Sequence, residues 1–198
     1  QGDEKLQTMI QALFLDVDGT LISFNTHEIP ASALRALAQA HERGVRLFIA
    51  TGRAANDLGP LEGIPYDGVV SLNGARCVAA DGRVVSLHPI PRADFEHALA
   101  LSGELGFAMA LELEEGVFVN RVTSEVERVA HMVAHPVPEQ TDLRELFGRV
   151  ECCQLCFYFD AQTERRVMAE LPTLVASRWC PIFADVNVAG IDKATGMR

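Results

Sequence analysis

LFLDVDGTLIS, residues Leu13 to Ser23, is an apolar run interrupted by two carboxylates one residue apart. Leu13, Phe14 and Leu15 read as a short buried strand, and Gly19 permits a sharp turn out of it. Residues i and i+2 of an extended segment project to the same side, so Asp16 and Asp18 face one site at the carboxyl end of that strand. Open α/β sheets bind their ligands at that edge. Two close carboxylates repel and raise each other's proton affinity unless a cation lies between them or one keeps a proton. Both outcomes are useful: one aspartate is an anionic nucleophile and cation ligand, the other a proton-carrying acid. The competing reading is a plain turn in which Asp18 bonds the following backbone. The apolar run upstream favours the site.

Working outward, residues 30–44 (PASALRALAQAHERG) read as a helix with Pro30 in its first turn, Leu34, Leu37 and Ala38 on one face, and Gly44 closing the end. VRLFIA (45–50) is a second buried strand, TGRAANDLG (51–59) turns into a second helix, and GVVSL (68–72) is a third strand. This alternation, with nearly continuous apolar strands, predicts an α/β fold with a parallel sheet covered on both faces. After Asn73 the pattern changes. The turn signals Asn73-Gly74 and Asp81-Gly82 flank short strands. A helix over 92–105, strand pieces over 108–112 and 117–120, and a helix over 124–134 follow. A Pro-interrupted connection (HPVPEQTD) leads to a strand around 152–159, a helix over 163–171 and short strands over 175–179 and 183–186. This reads as an α+β cap domain over 83–185, inserted between a core domain over 1–82 and a return to the core over 186–198.

The 198 residues are 48% hydrophobic and 22% charged, enough to bury a real core. The net charge of -10 disfavours nucleic acid, whose backbone demands clustered Lys and Arg. No apolar run is long enough for a membrane span, and the polar N-terminus QGDEKLQT lacks the regions of a signal peptide. Five cysteines without a signal peptide predict thiols in a reducing cytoplasm. Cys153-x-x-Cys156 lacks the second half of a zinc site and lies in a strand-like segment where Cys packs as a small hydrophobe. Glu112, Glu114 and Glu115 form an acidic cluster that could meet hydroxyls or an amine, with a solvated hairpin as the favoured reading, and the six histidines read as surface or cap residues.

Three further signals lie at the same edge of the sheet. Thr51-Gly52-Arg53 ends the second strand, where a hydroxyl and backbone N–H groups at a helix start would bind phosphate. A Thr there is also an ordinary cap. Asn73-Gly74 ends the third strand, and reads equally as a hairpin turn. Lys193 precedes a helix in IDKATG, where an ordinary solvated lysine is the competing reading. Together DVDGTL, IATGR, SLNGA and GIDKATG, in this order and spacing, resemble the haloacid dehalogenase superfamily and its Cof-like phosphatases, over nearly the whole chain. The resemblance implies a Rossmann-like, doubly wound parallel core with an inserted cap. It implies that Asp16 attacks phosphorus to form an aspartyl-phosphate, and that Asp18 protonates the leaving oxygen and then activates water. Mg²⁺ is implied on the Asp16 carboxylate and the Asp18 backbone carbonyl. Thr51 and Lys193 would bind the phosphoryl oxygens, with Gly52, Arg53, Asn73 and Gly74 lining the phosphate or substrate, and the cap would choose the leaving group. The implied partner is a small phosphate ester, without nucleic acid or membrane.

One departure shapes the expectation. The family's fourth motif, Gly-Asp-Gly-x-x-Asn-Asp, which supplies further metal carboxylates, is not met before Arg198. Asp185 and Asn187 precede Lys193 and lack its glycine frame, so they inherit no role from it. The chain therefore reads as a fragment missing roughly a few tens of residues, about one further strand-helix unit or two. The functions that fit are a Mg²⁺-dependent phosphomonoester hydrolase, a phosphomutase-like phosphotransferase, and a non-catalytic phosphate-ligand binder.

Overall fold

The computed structural model describes residues 10–23, 25–26 and 28–198, leaving the polar N-terminus, Phe24 and His27 outside. β1 (Ala12–Leu15) leads through α1 (Ala31–Glu42) to β2 (Arg46–Ala50), and the two strands pair in parallel with Leu13 opposite Leu47. β3 (Gly68–Ser71) adds parallel to β2, with Val69 opposite Ile49. β4 (Arg76–Ala79) and β5 (Val84–Leu87) turn back antiparallel, giving a sheet in the order β1-β2-β3-β4-β5. Pro30 caps α1 and Leu37 is buried, whereas Leu34, expected on the buried face, is exposed.

The helix predicted after Thr51 does not form. The chain runs there as turns with a 3₁₀ turn at Gly59–Leu61. Glycines at 52, 59 and 63 and prolines at 60 and 65 deny a helix both stiffness and donors. Leu58, Leu61 and Ile64 anchor the segment in a core shared with Val17, Leu21, Ile22, Leu37, Leu47 and Ile49. The segment is a loop that plugs the core.

The second layer follows the predicted pattern more closely. α2 (Arg92–Leu105), β6 (Ala108–Leu113), β7 (Gly116–Val119), α3 (Ser124–Met132), β8 (Glu139–Gln140), α4 (Leu143–Phe147), β9 (Gln154–Tyr158), α5 (Ala161–Glu170), β10 (Leu174–Cys180) and β11 (Phe183–Val188) build a sheet ordered β10-β11-β9-β6-β7-β8. β8 and α4 fall where only an irregular connection was read. The side chain of Asp142 caps α4 by accepting from the N–H groups of Arg144 and Glu145. Strand alternation sorts the sheet into two faces. Met109, Leu111, Leu155, Phe157, Ala184 and Val186 pack with Phe95, Leu101, Leu143 and Val167 from α2, α4 and α5. The opposite face carries Ala108, Ala110 and Glu112 from β6, Gln154, Cys156 and Tyr158 from β9, and Phe183, Asp185 and Asn187 from β11. Val126 and Val129 of α3 cover one end of it. Its other end meets the first sheet.

The change of sheet falls a few residues from the sequence boundaries. β5 belongs to the first sheet, past residue 82, and β11 runs to Val188 in the second, past residue 185. α6 (Lys193–Gly196) then returns to the first sheet. It docks only because its neighbours lack side chains: a Cβ on Gly74 would lie 2.0 Å from the Asp192 carbonyl oxygen, and one on Gly196 would lie 2.6 Å from Val70 Cγ1. Among the described residues no helix is long and apolar enough to cross a membrane.

Gly74 and Gly82 both have positive φ, 96° and 82°, but a Cβ on Gly82 would meet nothing within 4 Å. Gly82→Ala is therefore expected to cost about 1–2 kcal/mol from backbone conformation alone. Gly74→Ala adds overpacking against backbone, for a total of about 3 kcal/mol or more. Chemical denaturation of both variants checks this. Equal losses would show that the approach of α6 is not limiting.

Candidate active site

The loop after β1 is folded by its own backbone. Leu21 N–H donates to the Asp16 carbonyl, Ile22 N–H to Val17, and Gly19 N–H to Ile22, with Gly19 at φ 77°. Val17 is buried between the two aspartates, so its side chain fixes the strand end while theirs face outward. Thr20 Oγ1 donates to Asp16 Oδ2 at 2.9 Å, and Lys193 Nζ donates to Asp16 Oδ1 at 2.5 Å. Arg53 grips Asp18 with both arms of its fork, Nε to Oδ2 at 2.9 Å and Nη2 to Oδ1 at 2.7 Å. The hydrogen bonds it donates to Asp18 push the Arg53 guanidinium above its ordinary value.

Thr51 is buried at the end of β2, and its Oγ1 accepts from the Arg53 N–H at 3.1 Å. The predicted phosphate cradle is thus a hydroxyl turn, not a helix start. Gly52 N–H donates to no acceptor among the described residues. Lys193 is carried on a short helix with a capping box, in which Asp192 and Thr195 bond reciprocally. With α6 seated on Gly74, Lys193 is fixed above β1. Asp16, Asp18, Thr51, Gly52, Arg53 and Lys193 therefore share one edge of the sheet.

Asn73 lies at the same edge and makes its side-chain hydrogen bonds to the second sheet. At φ 55° it takes the left-handed region that Asn tolerates, and its Nδ2 donates to Asp185 Oδ2 at 3.1 Å and to Gln154 Oε1 at 3.0 Å. It joins the first sheet to the second. Gln154 is completely buried and uses its whole bonding capacity. Its Nε2 donates to the Gly52 carbonyl at 3.1 Å and to Glu112 Oε2 at 2.8 Å, and its Oε1 accepts from Asn73 and from Asn187 at 3.1 Å. Cys156 Sγ also donates to Glu112, at 3.4 Å.

Glu112 and Glu114 are accordingly not a solvated hairpin. Glu112 lies in this cluster, while Glu114 pairs with Arg76 at 3.4 Å and accepts from the Asn56 N–H at 3.2 Å. Sequence reading missed Gln154 as a neighbour of the site, gave Asp185 and Asn187 no role in it, and favoured a solvated hairpin for Glu112. The available signal was polar residues at alternate positions of apolar strands, Asp185 and Asn187 in FADVNV and Gln154 in CCQLCFYF. Burial pushes Glu112 upward, and burial together with the Glu112 charge pushes Asp185 up to about 8. Cys153 and Cys156 enter different apolar clusters, and burial raises both thiols, Cys153 to about 11. That environment suits packing better than ligation.

The aspartate loop fits a hard divalent cation by its donor chemistry. Asp16 offers a carboxylate, and the Asp18 main-chain carbonyl accepts no hydrogen bond among the described residues. The Asp18 carboxylate is held by Arg53, so the carbonyl is its available oxygen. Glu112, Cys156 and Asp185 also bring ligand atoms within 4.8 Å of one another. There, however, burial raises the Cys156 thiol well above its ordinary value and its proton goes to Glu112, so no thiolate is available to ligate a metal ion.

Asp185 yields a pH prediction. Its folded value of about 8 lies above the ordinary 3.8, so the neutral form is the one that folding favours. Its contribution to stability is complete below about pH 4 and is lost as pH rises through about 8. Asp185→Asn keeps the shape without ionising. The melting temperature of the variant minus that of the parent is expected to climb between pH 5 and pH 9, and parallel curves would contradict the assignment.

Comparison with known proteins agrees with this geometry. The profile of the haloacid dehalogenase-like hydrolases matches residues 13–198. BT1666 of Bacteroides thetaiotaomicron, described as a phosphatase of the haloalkanoate superfamily, is 54% identical, with a TM-score of 0.92 over 98% of this chain and 72% of its own. The subclass IIB sugar phosphatase BT4131 is 31% identical, with a TM-score of 0.85 over 94% of this chain and 73% of its own. YkrA of Bacillus subtilis is 26% identical over 94% of this chain and 71% of its length. With its aspartate loop, its late lysine and its second sheet in these relations, the chain belongs to the haloacid dehalogenase-like hydrolases, as a Cof-like member of that superfamily of phosphatases and phosphotransferases.

Proposed function

We propose that this chain hydrolyses phosphomonoesters of small metabolites, sugar phosphates or phosphorylated cofactors, with Mg²⁺ and through an aspartyl-phosphate on Asp16. The observation that carries the reading is the 2.5 Å approach of Lys193 to Asp16, across 177 positions of sequence, beside the Arg53–Asp18 pair. The likeness to BT1666 and BT4131 supports it.

Asp16 attacks phosphorus as the ester P–O bond breaks, and Asp18 gives its proton to the departing oxygen. Asp18 then takes a proton from a water that attacks the aspartyl-phosphate, releasing phosphate and restoring the Asp16 carboxylate. Lys193, Thr51 and the Gly52 N–H hold the phosphoryl oxygens, and Asn73 and Gly74 form the neighbouring wall. Arg53 donates to both Asp18 oxygens, so Asp18 acts as an acid once the fork has moved to the incoming phosphate and the freed carboxyl has taken a proton from solvent. Asp16 and the Asp18 carbonyl would hold a divalent cation, which would supply charge neutralisation between the carboxylate and the phosphate. Such neutralisation is needed. Enzymatic acceleration of monoester hydrolysis reaches ~10²¹, of which a general acid supplies about 10²–10⁴. Positioning and positive charge carry the remainder.

Release of p-nitrophenol from p-nitrophenyl phosphate is expected with Mg²⁺, lost in EDTA and restored by added Mg²⁺. Asp16→Asn is expected to lower kcat more than about 10³-fold, and Asp18→Asn about 10²–10⁴-fold. Turnover that survives EDTA or Asp16→Asn would overturn the reading.

A further inference from the structure

The face of the second sheet that meets the Thr51–Arg53 loop has spent its hydrogen-bond donors. Both Gln154 Nε2 protons go to Gly52 and Glu112, the Asn73 amide goes to Gln154 and Asp185, and the Cys156 thiol goes to Glu112. The Asn187 amide goes to Leu72, Cys153 and Gln154. What is left unpaired is acceptors. Asn187 Oδ1 is buried and has no donor among the described residues, although Asn187 itself is 1% exposed. Asp185, two residues along the same strand face, accepts one bond, from Asn73. Glu112 and Asp185 have carboxylate oxygens within 4.8 Å of each other.

Asp185 lies directly over the Thr51–Arg53 loop, and Gln154 links Glu112 to the same loop. A Cβ on Gly52 would be 3.4 Å from Asp185 Oδ2. The nearby cations are already engaged: Lys193 on Asp16, Arg53 on Asp18, and Arg76 on Glu114. Two enclosed carboxylates without a facing cation are costly. The upward displacement of both groups agrees, since the pair retains a proton where a cation is missing. A hydroxyl can donate to such a pair but cannot neutralise it. An ammonium does both, and its charge-assisted bonds are shorter and stronger. An anionic group would meet repulsion and no donor.

We propose that Glu112 and Asp185 set the substrate class of this site by charge, favouring phosphomonoesters whose alcohol portion carries an ammonium group, as in an amino-sugar phosphate, over neutral polyols, and both over carboxylates. The proposal rests on the phosphatase reading above for the placement of the phosphate. On binding, the ammonium takes the place of the shared proton, which leaves to solvent.

Three sugar 6-phosphates that differ mainly in charge test it: glucosamine 6-phosphate, glucose 6-phosphate and 6-phosphogluconate. With Mg²⁺ present, kcat/KM is expected to fall in that order, by about tenfold or more at each step. Glu112→Gln, and independently Asp185→Asn, are expected to bring the glucosamine-to-glucose ratio towards one. That ratio is internal to each variant, so a general loss of folded protein does not move it. A flat or reversed ranking in the parent, or a ratio unmoved in both variants, overturns the proposal. So does hydrolysis of p-nitrophenyl phosphate with none of the three sugars turned over. If p-nitrophenyl phosphate is also untouched, the phosphatase reading itself falls. The charge ranking is then read from Kd by titration calorimetry of the same three compounds, where equal affinities overturn it.

Discussion

The ion pair between Asp16 and Lys193 is the contact around which the rest is arranged. A carboxylate at the end of the first strand meets an ammonium carried on the last helix, after the whole second sheet has intervened. Lys193 cannot hold that position by its own length. It is delivered by α6, which is capped by Asp192 and pressed onto backbone at Gly74 and Gly196. Two missing side chains thus set the position of a charge. The same economy governs Gly52, where Asn73 and Asp185 approach to the limit of contact.

Much of this architecture was legible, and the reasons are physical. β1, β2 and β3 are short apolar runs, and an apolar run ending in polar turn residues has few other ways to fold. α2 was readable to its last residue because Gly106, at φ 79°, ends it in the left-handed conformation. The helix predicted after Thr51 failed because Leu58, Leu61 and Ile64 have helical spacing but are separated by Gly and Pro. Spacing alone does not distinguish a helix face from a loop that plugs a core. The short elements β8 and α4 lie under a Pro-rich signal that overrode a weak capping aspartate.

The site divides along a similar line. Residues whose positions follow from local chain geometry, Asp16, Asp18, Thr51 and Arg53, could be placed on one edge because strand ends converge there. Asn73 sat at that edge as read, but its partners came from the other sheet. Gln154, Glu112 and Asp185 were hidden because their proximity depends on the register of β6, β9 and β11, with Cys156 opposite both Ala110 and Asp185. Register is a tertiary quantity, and no window of sequence contains it.

The seam between the two sheets has an unusual composition. Its apolar part is small, made of Ala54, Leu72, Ala75 and Cys153, while amides and carboxylates supply most of the remaining contacts. Each sheet keeps its large apolar cluster to itself. Hydrogen bonds exchanged for water return most of their strength, whereas opened hydrophobic cores do not. The joint is therefore separable: a molecule could enter between the layers by trading amide partners, with neither half having to melt.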